Sequence, residues 1–373
     1  MKKLFYIGCL GLLLFEAANV YFIMPMPGSQ QMNSIDLAYF LFNWRWIFRT
    51  LFVLVLLTGL LNTQWKRKWT VAIPLLVVAA GIYILNFVMA ADGMFKQPAS
   101  IVLANQKENK VDTARLIVGV VDGTTAKAYP IRFLAYHHFV YDSINGKPLL
   151  ITYCTVCRTG RVFDPSVNGK PEQFRLVGMD HFNAMIEDQT THSWWRQATG
   201  KAIVGPLKGS QLEEVHSTQT SLAQWLELYP ESLIMQEDPN SVSKYDTSLK
   251  YESGASKSKL TGTDSLSWKN KSWVVGISKA GEDTAIDWNE LKKKRIMLTK
   301  VGRLPAFVVL GKDNKSFFAF EYNLSSTPQF SNDTIYVNNK KYKLNGVGID
   351  TVGSLSTLNA YQEFWHSWRE FHQ

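Results

Sequence analysis

Three apolar stretches lie within the first 92 residues, and each is long enough to cross a lipid bilayer. Residues 4–24 carry one acid, Glu16; residues 37–61 are apolar except for Arg45 and Arg49; residues 69–91 carry no charge. A hydrocarbon core of about 30 Å takes about 20 helical residues. Inside lipid, backbone N–H and C=O groups must be paired within their own segment, so all three stretches predict helices. Lys2 and Lys3 precede the first stretch, and Lys66-Arg67-Lys68 joins the second to the third. Basic loops stay in the cytoplasm. The N-terminus is therefore expected inside, and everything after the third span outside the plasma (inner) membrane. Arg45 and Arg49 fall at the outer end of the second span, where they are expected to snorkel to water. A cleaved signal peptide is the other reading of the first stretch. Cleavage after Ala18 would place Glu16 where a small residue is wanted, which favours an uncleaved anchor.

The rest of the 373 residues read as a different kind of chain. Of the net charge of +9, residues 1–92 hold seven basic against three acidic groups, which leaves only +5 over the larger part. No basic stripe appears there, so nucleic acid is not an expected partner. The lipid bilayer is one, and a protein of the cell envelope is another. Three cysteines exclude a scaffold built from disulfides, and Cys9 falls inside the first span.

A duplication runs through this outer part. Ile117-Val-Gly-Val120 matches Val274-Val-Gly-Ile277 at an offset of 157. At the same offset Leu134 falls on Leu291, Pro148 on Pro305, and Phe163-Asp164 on Phe320-Glu321. Each copy closes on an aromatic segment, Trp225-Leu-Glu-Leu-Tyr229 and Trp368-Arg-Glu-Phe-His372. Two similar modules are expected: a membrane region at 1–92, a first module at 93–243, a Ser/Lys/Gly-rich linker or long loop at 244–273, and a second, degenerate module at 274–373. Ile117–Val121 and Ala126–Tyr129 flank Asp122-Gly123, which predicts a hairpin. Pro148–Tyr153 and Gly160–Phe163 read as strands, and Ser221–Tyr229 as a short amphipathic helix. The fold class is α+β, with membrane helices followed by a β-rich region.

The duplication also isolates the chemistry. Copy one reads Pro148-Leu-Leu-Ile-Thr-Tyr-Cys154-Thr-Val-Cys157-Arg-Thr-Gly160; copy two, in register, reads Pro305-Ala-Phe-Val-Val-Leu-Gly311-Lys-Asp-Asn314-Lys-Ser-Phe317. The strand survives without either cysteine. A structural disulfide over so short a loop contributes only ~2 kcal/mol of chain entropy, against ~4.7 for a hundred-residue loop. A redox pair wants its first Cys at a helix N-terminus, but a returning strand is expected here, with Arg158 left to stabilise a thiolate. A soft-metal site for Cu or Zn could draw on Cys154, Cys157, His137, His138, His181 and Met179; copy two has Lys294 and Arg295 in place of the paired histidines. A second polar and aromatic cluster, Asp180, Asn183, Asp188, His192, Trp194 and Gln197, with Arg158 near the cysteines, has the make-up of a lined pocket.

Seven segments give the chain a family resemblance. They are Ala128-Tyr-Pro-Ile-Arg132, His137 with Asp142, Leu150-Ile-Thr-Tyr-Cys-Thr-Val-Cys157, Val162-Phe-Asp164, Gly178-Met-Asp-His-Phe-Asn183, Ser193-Trp-Trp-Arg-Gln197 and Gly200-Lys-Ala-Ile-Val-Gly-Pro206. Together they resemble a bacterial family catalogued as domain of unknown function 3179, over most of residues 112–235 and more weakly in the second copy. The three-helix front end lies outside the resemblance. It implies that His137, Cys154 and Cys157 are motif positions, and it carries no activity. Two functions are therefore weighed: a Cys/His site that binds a soft metal or performs thiol–disulfide chemistry, and a non-catalytic binding or scaffolding module with an inert disulfide.

Overall fold

The first apolar stretch is helical from Lys2 to Tyr21 (α1). The second is not the single helix expected from its composition. It forms α2 (Ile35–Asn43) and α3 (Arg45–Leu61), bent by 61° across Trp44. At the bend the Arg45 guanidinium donates to the Phe42 carbonyl at 2.6 Å and lies 3.9 Å from the Phe42 ring centroid. It thus adds a side-chain donor to a carbonyl at the end of α2, where the Trp44 N–H also turns in. The third stretch is α4 (Trp69–Tyr83), extended by one π turn, Ile84–Val88. This computed structural model describes residues 1–372. In it, α1 and the helix Trp69–Val88 are long and apolar enough to cross a membrane, and the count rises to three if the bent pair is one span.

Arg49 does not snorkel. Its Nε and Nη2 donate to the Glu16 carboxylate of α1 at 2.6 and 2.8 Å, and Asn86 of the π turn donates to the same carboxylate at 2.9 Å. Glu16 is 1% exposed. Snorkelling would abandon that buried charge in apolar surroundings, whereas pairing neutralises both groups. Glycines bring α1 and α3 close enough: a Cβ on Gly8 would meet the Leu56 backbone, and one on Gly59 the Phe5 backbone.

Two compact units are built from interleaved pieces of chain. The first combines residues 1–96 with 173–196 and 201–210. Its sheet is antiparallel, with neighbours in the order Ala202–Val204, Trp194–Arg196, Asn183–Asp188, Phe174–Asp180. Val177, Met185, Trp194 and Val204 form an apolar face that packs with Ala38, Phe22, Ile23, Tyr39 and Phe42.

The second unit holds residues 97–172, 197–200 and 211–372. The Asp122-Gly123 hairpin forms, pairing Leu116–Asp122 with Thr125–Pro130. Together with Leu103–Ala104, Leu233–Met235 and Thr218–Ser221 it makes a five-stranded sheet. A helix, Ile131–His137, leads into a three-stranded sheet of Phe139–Ile144, Lys147–Cys154 and Thr159–Phe163. The short amphipathic helix is Leu222–Leu228, capped by the Ser221 hydroxyl, which accepts from Gln224 N–H. Further along come the hairpin Trp273–Lys279 with Glu282–Asp287, the helix Trp288–Lys294, and the strands Ile296–Val301, Leu304–Leu310 and Phe317–Glu321. The chain closes through Ala360–Phe364 and the helix Trp365–Phe371. Residues 244–273 are largely irregular, as their polar composition suggests, but they are tied down. Glu252 is buried, pairs with Arg115 at 2.8 Å, and accepts from Leu116 N–H.

Candidate functional site

Cys154 ends the strand Lys147–Cys154, and Cys157 precedes the strand Thr159–Phe163, which returns antiparallel to it. Cys154 therefore opens no helix and gains no helix N-terminus to favour a thiolate. The two sulfurs are joined as a disulfide with Cα atoms 5.4 Å apart, and both residues are fully buried. The turn between them has its carbonyls taken up from three directions. Thr155 O accepts from the Tyr251 hydroxyl at 3.0 Å, Val156 O from Lys271 Nζ at 2.9 Å, and Cys157 O from the Phe364 N–H at 2.8 Å. Burial draws the Lys271 ammonium down to about 8.

Arg158 is committed elsewhere than to sulfur. Fully buried and at φ +62°, it donates from Nε to Gln362 Oε1 at 2.8 Å, from Nη1 to Tyr251 O at 2.9 Å and from Nη2 to Glu252 O at 3.0 Å. Its guanidinium stacks 3.7 Å from the Trp273 ring centroid. The side chain acts as a cross-link between the irregular segment and the strand Ala360–Phe364.

His137 is buried at the end of its helix with Nε2 2.7 Å from the Tyr245 hydroxyl, and its carbonyl accepts from Gln97 at 3.0 Å. His138, at φ +62°, has Nδ1 3.2 Å from Tyr153 O. Burial pulls its imidazole down to about 4, so it is neutral at physiological pH. Among the described residues no group of three or more His, Cys, Asp and Glu side chains is arranged to hold a metal ion. The Cu or Zn ligand set expected from Cys154, Cys157, His137, His138, His181 and Met179 does not assemble. Sulfurs bonded to each other lack the thiolate charge that a soft metal needs.

In that first unit the polar cluster forms two small networks. Asp180 is flanked by His181 Nδ1 at 2.7 Å and by Arg196. Burial alone would raise its carboxyl, but His181 and Arg196 hold it below the usual carboxylate range. Asn183 is buried directly opposite Asp180 across the hairpin, and Met179 donates its N–H to Ile23 O at 2.7 Å. Asp188, fully buried, accepts from Thr191 Oγ1 at 2.8 Å, Trp195 Nε1 at 2.9 Å and Ser193 N–H at 3.0 Å, and so organises the turn that carries His192. The His192 side chain is exposed, 3.4 Å from Glu187, while buried Trp194 donates to Glu187 at 2.7 Å. Gln197 falls in the second unit, donating to Thr152 Oγ1 at 2.8 Å and Thr159 O at 3.2 Å. Asp180 with His181 and Asp188 with Trp195 are thus separate structural knots, with Gln197 and Arg158 in neither.

Two charged clusters were not anticipated. One is Glu16–Arg49–Asn86. The other is Arg161, which stacks on Tyr361 with its charge between Glu363 and Glu214, 3.5 Å from each. The first had a signal in the sequence: a lone acid and lone cations in neighbouring apolar stretches, which are most economically placed together. The second had none at the level of spacing.

No curated protein and no solved structure matches the chain. A family model does, over residues 96–373, beginning just past the apolar helices, and the chain belongs to the family described as protein of unknown function (DUF3179).

Proposed function

We propose that this chain is a plasma-membrane-anchored protein of the cell envelope, with its N-terminus in the cytoplasm and its large C-terminal part outside. That part is a non-catalytic binding or scaffolding module, made of two similar halves, in which Cys154–Cys157 is an inert structural disulfide. The anchoring rests on the apolar helices and on the basic Lys66-Arg67-Lys68 loop. The duplication is supported by pairing at the offset of 157: Leu150 pairs with Phe163 and Phe307 with Phe320, Ile151 with Val162 and Val308 with Ala319.

The observation that carries the reading is the closure of the cysteine turn. Its sulfurs are buried and its carbonyls are bound by residues 251, 271 and 364, so an attacking thiolate has no approach without unfolding that corner. The turn in the second half does the same job without sulfur. Asp313 accepts from the backbone N–H groups of Lys315 and Ser316, both at 2.9 Å, and from the hydroxyls of Ser316 at 2.6 Å and Ser221 at 2.7 Å. A disulfide at one turn and a carboxylate at the other are two ways to fix one loop.

The test is reduction followed by alkylation of the folded, full-length protein in mild detergent, read by mass spectrometry. Cys154 and Cys157 are expected to be labelled only once the protein unfolds, and Cys154→Ser/Cys157→Ser to stay folded with a loss of about 2 kcal/mol. Rapid labelling of the native protein at modest reductant would overturn the inert-disulfide reading in favour of thiol–disulfide exchange. Resistance to carbonate extraction and protease access from the outer face test the anchor and its orientation.

A further inference from the structure

The bend at Trp44 and the π turn at Ile84–Val88 border a single cleft whose walls all belong to one unit. Its volume is about 180 Å³, and it is partly open to solvent. Three arginines line it. Arg49 is paired with Glu16, and Arg175 is paired with Glu187 at 2.7 Å and Asp92 at 3.2 Å. Arg45 reaches the Phe42 carbonyl and ring, and among the described residues it has no carboxylate partner.

Asn19 lines the same cleft. Its amide oxygen and nitrogen are both shielded from solvent, and neither has a hydrogen-bond partner among the described residues. Buried amides are nearly always paired, so an unpaired donor and acceptor beside a guanidinium with no carboxylate in contact mark a place shaped for a bound group. The remaining wall includes Val20, Ile23, Leu85 and Met89, which are apolar. Interrupted helices and π turns recur at ligand sites because they free backbone and side chains to face a cavity.

We propose that this cleft binds the oxyanion headgroup, phosphate or carboxylate, of a membrane amphiphile. Arg45 supplies the charge, Asn19 the hydrogen bonds, and the apolar wall the seat for the start of the chain. The proposal rests on the membrane-spanning reading of the helices given above. The same oxyanion could arrive free from solution, and the two sources are separable.

The full-length protein in neutral detergent is titrated with phosphatidylglycerol, with phosphatidylcholine and with inorganic phosphate, and followed by native mass spectrometry and thermal unfolding. Phosphatidylglycerol is expected to be retained in preference to phosphatidylcholine. Arg45→Gln should weaken retention about tenfold or more, the scale of one charge-assisted hydrogen bond. Asn19→Leu should weaken it too, while Arg67→Gln, outside the cleft, leaves it unchanged. Stabilisation by inorganic phosphate alone, with the same dependence on Arg45, would support the oxyanion site and assign its ligand to solution. Equal retention by the wild type, Arg45→Gln and Asn19→Leu, each folded by size exclusion, would overturn the proposal, as would no binding of any probe by the folded wild type. Release of the protein by alkaline carbonate would refute the membrane reading separately, and the phosphate titration would still judge the cleft.

Discussion

Replacing Glu16 by Gln keeps the shape of the side chain and strips Arg49 of its counter-charge. Glu16 is 1% exposed and receives two hydrogen bonds from Arg49 and one from Asn86. Two unit charges about 4 Å apart attract by about 4 kcal/mol at an effective dielectric of about 20. Much of that is offset by their desolvation, but breaking one partner leaves the other charge stranded, which costs about 3–5 kcal/mol. If the contact were an ordinary hydrogen bond between membrane helices, the loss would be about 0.6 kcal/mol. The two scales are far enough apart to decide. A loss of ~3 kcal/mol lowers Tm by roughly 10 °C for a unit of this size. The assay is thermal unfolding of the detergent-solubilised full chain, monitored by size exclusion, for Glu16→Gln, Arg49→Leu, and Glu16→Leu/Arg49→Leu. Each single change should be strongly destabilising and the double change milder than either, because no charge is then left unpaired. A Tm for Glu16→Gln within about 2 °C of the wild type, or additive losses in the double variant, would refute the pairing argument.

Acid should loosen the second unit through His138. Its folded value of about 4 lies below the ordinary 6.5, so the unfolded chain binds the proton more readily and stability falls as pH drops through 6.5 toward 4. The loss by pH 5 is about 2 kcal/mol. His138→Asn, which suits the positive φ, should flatten the dependence of Tm on pH, and an unchanged slope would count against it. At the far end of the chain, a Cβ on Gly276 would overlap the buried Trp368 ring, so Gly276→Ala should cost about 1–3 kcal/mol. Trp368→Leu should absorb part of that loss in the double variant, measured as a smaller combined shift in Tm than the sum of the single ones.

Local elements were legible where the signal was local. Asp122-Gly123 between alternating apolar runs announces its hairpin, and the Gly160–Phe163 return strand follows from its β-branched and aromatic content. The family resemblance was legible for the same reason, since short motifs survive in one sequence. What was not legible depends on partners distant in the chain. Composition made residues 37–61 one helix because Trp44 is as apolar as its neighbours, and only the packing and the Arg45–Phe42 contact show the bend. The cysteines and histidines looked convergent because they are close in number. In the fold, Tyr245 takes His137, and Tyr251, Lys271 and Phe364 bind the carbonyls of the cysteine turn, all supplied by sequence far downstream. Nor does alternation along Phe174–Asp180 reveal that Val177 packs with Ile23 and Phe42.

That last contact has a practical edge for anyone seeking a soluble fragment. Residue 96, where the apolar helices end and the family match begins, is the obvious place to cut. A fragment starting there would keep the strands from 173 to 210 but lose Phe22, Ile23, Tyr39 and Phe42, baring Val177, Met185 and the large indole of Trp194 to water. Such a product would self-associate through a newly naked greasy sheet, and its behaviour would report on the truncation rather than on the protein.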